Sequence, residues 1–244
     1  MPLKLVKGPI VQSFRIGIHG RELSGKSWLA LTAPRDPVLY LHNDERQRGT
    51  LDAEAFAHRN VTRCDYGEGI RGESPSDVQK VAQQRVAELQ ALANDASQWA
   101  GTIILDTETD LWTLYKYAFH GGEKADSKGG RRNNWAEING VWRMFFSTLL
   151  SGRSDLIVIS KDKPVYVDNE DTGRIVAKCS SEIPTLCEVR LEVERVDTNG
   201  ASTFGAKVIK CNDVARLGEV FYDSNLPAIM ESLYGRNVWE VKGD

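Results

Sequence analysis

Eight consecutive residues, Gly20-Arg21-Glu22-Leu23-Ser24-Gly25-Lys26-Ser27, follow the pattern G-x-x-x-x-G-K-[ST], whose chemistry is the cradling of a polyphosphate. The two glycines allow a tight path that turns successive backbone N–H groups toward one spot, and a helix N-terminus adds partial positive charge there. Lys26 is placed to neutralise the β- and γ-phosphates and the Ser27 hydroxyl to hold Mg²⁺. The expected nucleotide-binding set is Gly20, Arg21, Glu22, Leu23, Ser24, Gly25, Lys26, Ser27 and Trp28, with ATP and Mg²⁺ as cofactors. Far downstream, Thr102-Ile103-Ile104-Leu105-Asp106-Thr107 is an apolar run ending in a carboxylate. Many strands end in Asp, but behind a phosphate loop this run reads as the Walker B pattern. Asp106 is then expected opposite Ser27 in the shell of the metal. Glu108 and Asp110 follow closely as further acidic candidates.

These groups need elements to place them. Phe14–Ile18 alternates like a strand, and Trp28–Leu31 begins an apolar helical run that Ala33–Pro37 stops. Val38-Leu39-Tyr40-Leu41 is continuously apolar, the mark of a strand buried on both faces. It delivers His42-Asn43-Asp44-Glu45 at its carboxyl end, the edge where open α/β sheets bind ligands. Leu3–Val6 and Asn60–Asp65 are further short strands, and the Gly-rich stretch from Tyr66 to Pro75 is a loop. Ser76 is the expected N-cap of a helix reaching Trp99, in which Val78, Val81, Ala82, Leu89, Leu92 and Ala96 recur at helical spacing. Trp135–Leu150 is a second amphipathic helix. Asp155–Lys161 is a buried strand with a polar tip. Pro164–Val167 and Arg174–Ala177 pair as a hairpin through Asp171-Thr172-Gly173, and Val189–Val193 pairs with Phe204–Lys210 through Asp197–Gly200. A last helix begins near Asp223 or Ser224. The pattern predicts an α/β fold with a central, mostly parallel sheet, helices on both faces and C-terminal β-hairpins, in one domain over residues 1–244.

Composition narrows the setting. The 244 residues are 41% hydrophobic and 27% charged, enough for a sizeable core. A net charge of −3 excludes a generic polyanion binder, so nucleic acid would need a local patch. Cys64, Cys179, Cys187 and Cys211 lack metal-ligand spacing and read as reduced, partly buried thiols. No signal peptide and no membrane-length apolar run is seen, which predicts a cytoplasmic protein without a membrane partner. The densest cations on a glycine-rich stretch are Lys124, Lys128, Arg131 and Arg132, which suit the phosphate backbone of single-stranded DNA. His120 and Trp135 flank them; for Trp135, packing in the helix core is the favoured role.

In this order the parts resemble the phage nucleotide-binding ATPases with a RecA-like core, a group that includes small single-strand annealing proteins of phage recombination systems. The motifs that carry the resemblance are Gly20–Ser27, Ile103–Thr107 with Leu111-Trp112, and Asn134-Trp135-Ala136-Glu137-Ile138-Asn139. It implies a RecA-like P-loop NTPase fold, a Mg²⁺-ATP site, DNA recombination, repair or replication in a host-cell cytoplasm, and homo-oligomers with shared sites. It also implies an acidic residue after the second strand, Asp44 or Glu45, that polarises the attacking water. Ser160 and Lys161 fall where a γ-phosphate sensor would stand. Of the family's K-x-R element, inserted into a neighbour's site, Lys210 is present and the arginine is replaced by Asn212; Arg216 is the substitute candidate. Alternatives from other classes are a nucleotide or small-molecule kinase and a non-hydrolysing DNA-binding module clamped by ATP. The catalytic set Lys26, Glu45, Asp44 and Glu108 leaves the choice of base open.

Overall fold

The computed structural model describes residues 13–43, 50, 52–67, 75–120, 134–167, 170–180, 182–198, 201–235 and 239. Nine strands form the sheet, in the order β3-β2-β4-β5-β1-β7-β8-β9, with β6 attached to β5. They are β1 (Arg15–His19), β2 (Val38–His42), β3 (Val61–Asp65), β4 (Thr102–Asp106), β5 (Asp155–Val167), β6 (Glu170–Lys178), β7 (Val189–Thr198), β8 (Ala201–Lys210) and β9 (Val220–Tyr222). The run from β3 to β7 is parallel throughout. The β7–β8, β8–β9 and β5–β6 pairs are antiparallel.

Alternation along the inner strands sends side chains to two cores. Leu39, Leu41, Ile103, Leu105, Leu156 and Val158 meet helices α2 (Pro75–Trp99), α3 (Glu108–His120) and α4 (Asn134–Ser151). On the other face Ile16, Ile18, Tyr40, Ile104, Ile157 and Ile159 pack with α1 (Lys26–Leu31) and α6 (Leu226–Tyr234). A strand covered on both sides must be apolar on both sides, which is why β2 and β4 are uninterrupted apolar runs.

Several boundaries differ from expectation. Helix α2 begins at Pro75, so Ser76 lies inside it, with proline taking the first turn where its missing N–H is harmless. Helix α3 fills a stretch where the sequence pattern predicts no element, burying Leu111, Leu114, Tyr115 and Ala118 at helical spacing. Asp171, Thr172 and Gly173 belong to β6 and not to a turn. The short α5 (Ile183–Leu186) and β9 are likewise additions to the expected elements. Helix α6 starts at Leu226 because Asn225 caps it, its side chain accepting from the Ala228 N–H at 2.9 Å.

β5 is one unbroken strand with two characters. Asp155–Ser160 is buried in the sheet; from Lys161 onward the strand pairs only with β6 and is mostly exposed. The two form a ribbon beyond the carboxyl edge of the sheet. All four cysteines are free. Among the described residues no helix is long and apolar enough to cross a membrane.

Candidate nucleotide site

β1 runs through the centre of the sheet between β5 and β7, so the loop after it opens at the carboxyl edge where strand order reverses. Two glycines hold its path. A Cβ at Gly20 would lie 2.0 Å from the Val193 carbonyl oxygen. Gly25 has φ +91°, and a Cβ there would press on the Phe204 ring at 2.9 Å. Leu23 also has positive φ, +59°, and is 86% exposed, the kind of strained backbone that persists at ligand clamps. Lys26 Nζ donates to the Gly20 carbonyl at 2.8 Å and the Arg21 carbonyl at 2.5 Å. Burial lowers its pKa from the ordinary value, opposed by the charges of Asp106, Asp162 and Glu22.

Asp106 ends β4 almost fully buried. Its Oδ2 accepts the Ser27 hydroxyl at 2.6 Å and the Tyr40 phenol at 2.5 Å. Burial pushes the Asp106 carboxyl up; the Ser27 and Tyr40 bonds, with Lys26 and His42, pull it back toward the charged form. Burial beside that carboxylate also raises the Tyr40 phenol, so Tyr40 acts as a donor. His42 stands opposite Asp106 in the β2–β4 register. Its Nδ1 is buried without a hydrogen-bond partner, as is Ser24 Oγ inside the loop. A cradle with no room for a Cβ, a lysine at its mouth, orphaned polar atoms within and a serine bonded to a buried carboxylate fit a triphosphate with a divalent cation.

Two clefts flank the loop. On the Gly25 side a cavity of about 160 Å³ is lined by Trp28, Phe204, Phe221 and Asp223. On the Arg21 side a cleft of about 210 Å³ is lined by Asp162, Lys163, Asp171 and Arg174 of the ribbon. The first is mainly aromatic and the second mainly charged. A nucleotide laid along the loop would thus meet a stacking surface at one end and a polar one at the other.

The other anticipated residues fall as follows. Glu108 has no exposed surface; its Oε1 accepts the Ser180 N–H at 3.0 Å, and its Oε2 is buried without a partner. Asp44, Glu45, Lys124, Lys128, Arg131 and Arg132 lie outside the described residues. Ser160 is buried opposite His19. Lys161 pairs with Asp110 at 2.7 Å, and its N–H donates to Thr109 Oγ1. Lys210 donates to the carbonyls of Pro184 and Cys187 at 2.7 and 2.5 Å, closing the end of α5. Arg216 is bound to Glu219 and to Ser232 Oγ. His120 and Trp135 meet edge to face with ring centroids 5.1 Å apart, and Trp135 packs half-buried against the core. Tyr40 and the aromatic cavity carry no signal of their own in the sequence; the partner of Tyr40 lies 66 residues away and the cavity joins α1 to β8.

No protein-family model matches the sequence, and no curated protein does. Among solved structures the fold is similar to that of the RadB recombinase, with a TM-score of 0.52 at 13% identity over 86% of each chain. The flagellar accessory protein FlaH of Methanocaldococcus jannaschii gives a TM-score of 0.45 at 14% identity, covering 88% of this chain and 85% of that one. A KaiC-like protein of Pyrococcus horikoshii gives 0.46 at 10% identity, covering 86% and 84%. These last two scores are too low to bear on the fold, and the RadB likeness, at its low identity, bears on the fold alone. Taken with the parallel core, the loop between β1 and α1 and Asp106 on β4, that likeness gives this chain the RecA-like P-loop fold.

Proposed function

We propose that the chain binds Mg²⁺-ATP at Gly20–Ser27 and hydrolyses it, acting on single-stranded DNA in recombination, repair or replication. The observation that carries the nucleotide reading is the 2.6 Å bond between Ser27 and buried Asp106 beside the Lys26 ammonium. It places a hydroxyl, a carboxylate and a cation around one point at a sheet's carboxyl edge. Ser27 and Asp106 would hold Mg²⁺, which when bound supplies charge neutralisation across the β- and γ-phosphates. Lys26 exchanges the Gly20 and Arg21 carbonyls for phosphate oxygens. The base lies in the aromatic cavity against Phe204 and Trp28. Phosphoryl transfer needs positioning and charge stabilisation more than covalent help, and this chain's residues are of that kind. Asp44 or Glu45 orients the attacking water; Glu108, enclosed against Ser180, holds the start of α3.

DNA as partner rests on Lys124, Lys128, Arg131 and Arg132 in a chain that is otherwise net acidic. Self-association is part of the reading, because Leu23, Trp28 and Tyr222 expose apolar surface around the loop. The test is ATP turnover with and without single-stranded DNA. Stimulation by DNA supports the proposal, and turnover only with a small hydroxyl acceptor turns it into a kinase. Tight binding without turnover makes the chain an ATP-clamped module. Replacing the four cations with serine should weaken strand binding and flatten its salt dependence while leaving ATP binding intact. An unchanged DNA titration would remove that segment from the reading.

A further inference from the structure

The charged cleft beside the phosphate loop has an asymmetry. Both of its acids are already engaged: Asp162 accepts from His19 Nδ1 at 2.8 Å, and Asp171 accepts the Gly173 N–H at 2.9 Å. Its three cations, Arg21, Lys163 and Arg174, form no ion pair among the described residues. They come from two separate elements, the phosphate loop and the ribbon, yet they converge on one cleft of about 210 Å³. Three cations against two carboxylates leave the cleft net positive, and a cleft of one prevailing sign draws an anion from outside.

The position of the cleft identifies the anion. Lys26, the group that reaches the β- and γ-phosphates, sits with its Nζ on the Arg21 carbonyl, and its charge interacts with Asp162 and Lys161 at the root of the ribbon. The cleft therefore adjoins the γ end of the loop, whereas the aromatic cavity adjoins the Gly25 end. Lys210 and Arg216, the two residues that the sequence offers for a neighbour's site, are engaged within their own chain. We propose that Arg174, with Lys163 and Arg21, is the chain's own charge clamp on the γ-phosphate, so that each nucleotide site is completed in cis by the β5–β6 ribbon. Arg174 leads because its planar guanidinium can bind two phosphate oxygens at once and never loses its charge.

This rests on the nucleotide-hydrolysis reading above. In the step concerned, the oxygen of water bonds to the γ-phosphorus as the bond to the bridging oxygen breaks. The bridging oxygen leaves on ADP with the electron pair; one water proton stays on inorganic phosphate and the other passes to solvent. The ribbon cations meet charge on the γ-phosphoryl oxygens throughout. His19, at the end of β1, holds the Asp162 carboxylate by a 2.8 Å hydrogen bond.

The test compares the wild-type chain with Arg174→Ala, Arg174→Lys and Lys163→Ala. The readouts are affinity for ADP, affinity for a non-hydrolysable ATP analogue, and turnover. Arg174→Ala should leave ADP affinity within about threefold, reduce the preference for the ATP analogue, and lower turnover about 100-fold, below the roughly 10³–10⁵ of a sole arginine because two cations remain. Arg174→Lys should recover only part of either loss. Mixing Arg174→Ala with Lys26→Ala should restore nothing, since each chain lacks one half of the same site. An unchanged analogue-to-ADP ratio, or recovery on mixing, overturns the cis assignment. So does loss of single-strand DNA binding with the ratio intact, which would make the cleft a strand contact. Absence of any nucleotide binding by the wild-type chain sinks the underlying reading instead and is recognised separately.

Discussion

Tyr40 and Asp106 are joined by a 2.5 Å hydrogen bond from the phenol to Oδ2, inside the sheet between two neighbouring parallel strands. Because Ser27 donates to the same oxygen, Asp106 is held in one orientation by a donor from the core and a donor from the loop. Tyr40→Phe removes the core donor at constant shape. We expect the Mg²⁺ concentration for half-maximal nucleotide binding to rise about tenfold, as for loss of a residue supporting a metal ligand. Metal-free nucleotide binding should stay unchanged. Titrating Mg²⁺ against a fluorescent ATP analogue checks this, and equal metal dependence in both proteins would make Tyr40 a packing residue only.

Lys26→Ala should weaken ATP binding or slow turnover by about 100-fold or more, since a cation at the phosphates acts in a partly desolvated site. The side chain is outside the two cores, so the melting temperature should move little. Calorimetric titration and a thermal melt on one preparation separate the two effects. Parental affinity would refute the loop assignment.

Phe204 closes the aromatic cavity over Gly25. If a base stacks there, Phe204→Ala forfeits a contact worth about 1–3 kcal/mol and should weaken ATP by about tenfold. Inorganic triphosphate, which has no base, should bind both proteins alike. A parallel loss for triphosphate would mean that the ring supports the loop and not a base.

Burial pushes the Glu108 carboxyl up to about 7, from an ordinary 4.5, against the bonds from Ser180. The folded chain then holds a proton that the unfolded chain releases between pH 4.5 and 7, so this group's contribution falls as pH rises through that window. Glu108→Gln copies the protonated form and keeps an oxygen for the Ser180 N–H. It should match the wild type near pH 5 and exceed it by about 1–3 kcal/mol near pH 8, because each tenfold change in proton affinity is worth roughly 1.4 kcal/mol. Asp155, also pushed up to about 7 by burial, leaves some pH dependence in the variant. Denaturant titrations at both pH values decide; identical differences at the two would remove the titration as cause.

The loop between β1 and α1 is legible in the sequence because its pattern is local: spacing within eight residues dictates a tight backbone path. The position of Asp106 at the end of β4 is legible because an apolar run ends there, and the carboxylate gains meaning only from the glycine loop upstream. Tyr40 is hidden by the same logic, since in Val38-Leu39-Tyr40-Leu41 a tyrosine counts as one more apolar residue until its partner on β4 is known. Lys210 is the opposite case. It occupies a position that invites a role in a neighbouring site, and what the sequence does not disclose is that its ammonium closes a four-residue helix too short to leave a periodic signal. The ribbon suggests a hairpin with its turn at Asp171–Gly173, because Asp-Thr-Gly has turn chemistry; the register places Asp171 opposite Tyr166, so that chemistry makes an irregularity inside β6, with Gly173 at φ +68°.

β5 is fully buried over Asp155–Ser160 and mostly exposed from Lys161 onward, where it becomes one strand of the ribbon. A two-stranded ribbon is only marginally stable by itself, so its order is lent by the half of β5 clamped between β4 and β1. Amide exchange should therefore grade along a single stretch of backbone, from the slowest protons of the protein at Ile157–Ile159 to rapid exchange by Tyr166. The irregular pairing between Pro164 and Tyr166 marks where protection gives way. A load applied at the ribbon tip would reach Ser160 and its neighbour His19 without crossing a loop.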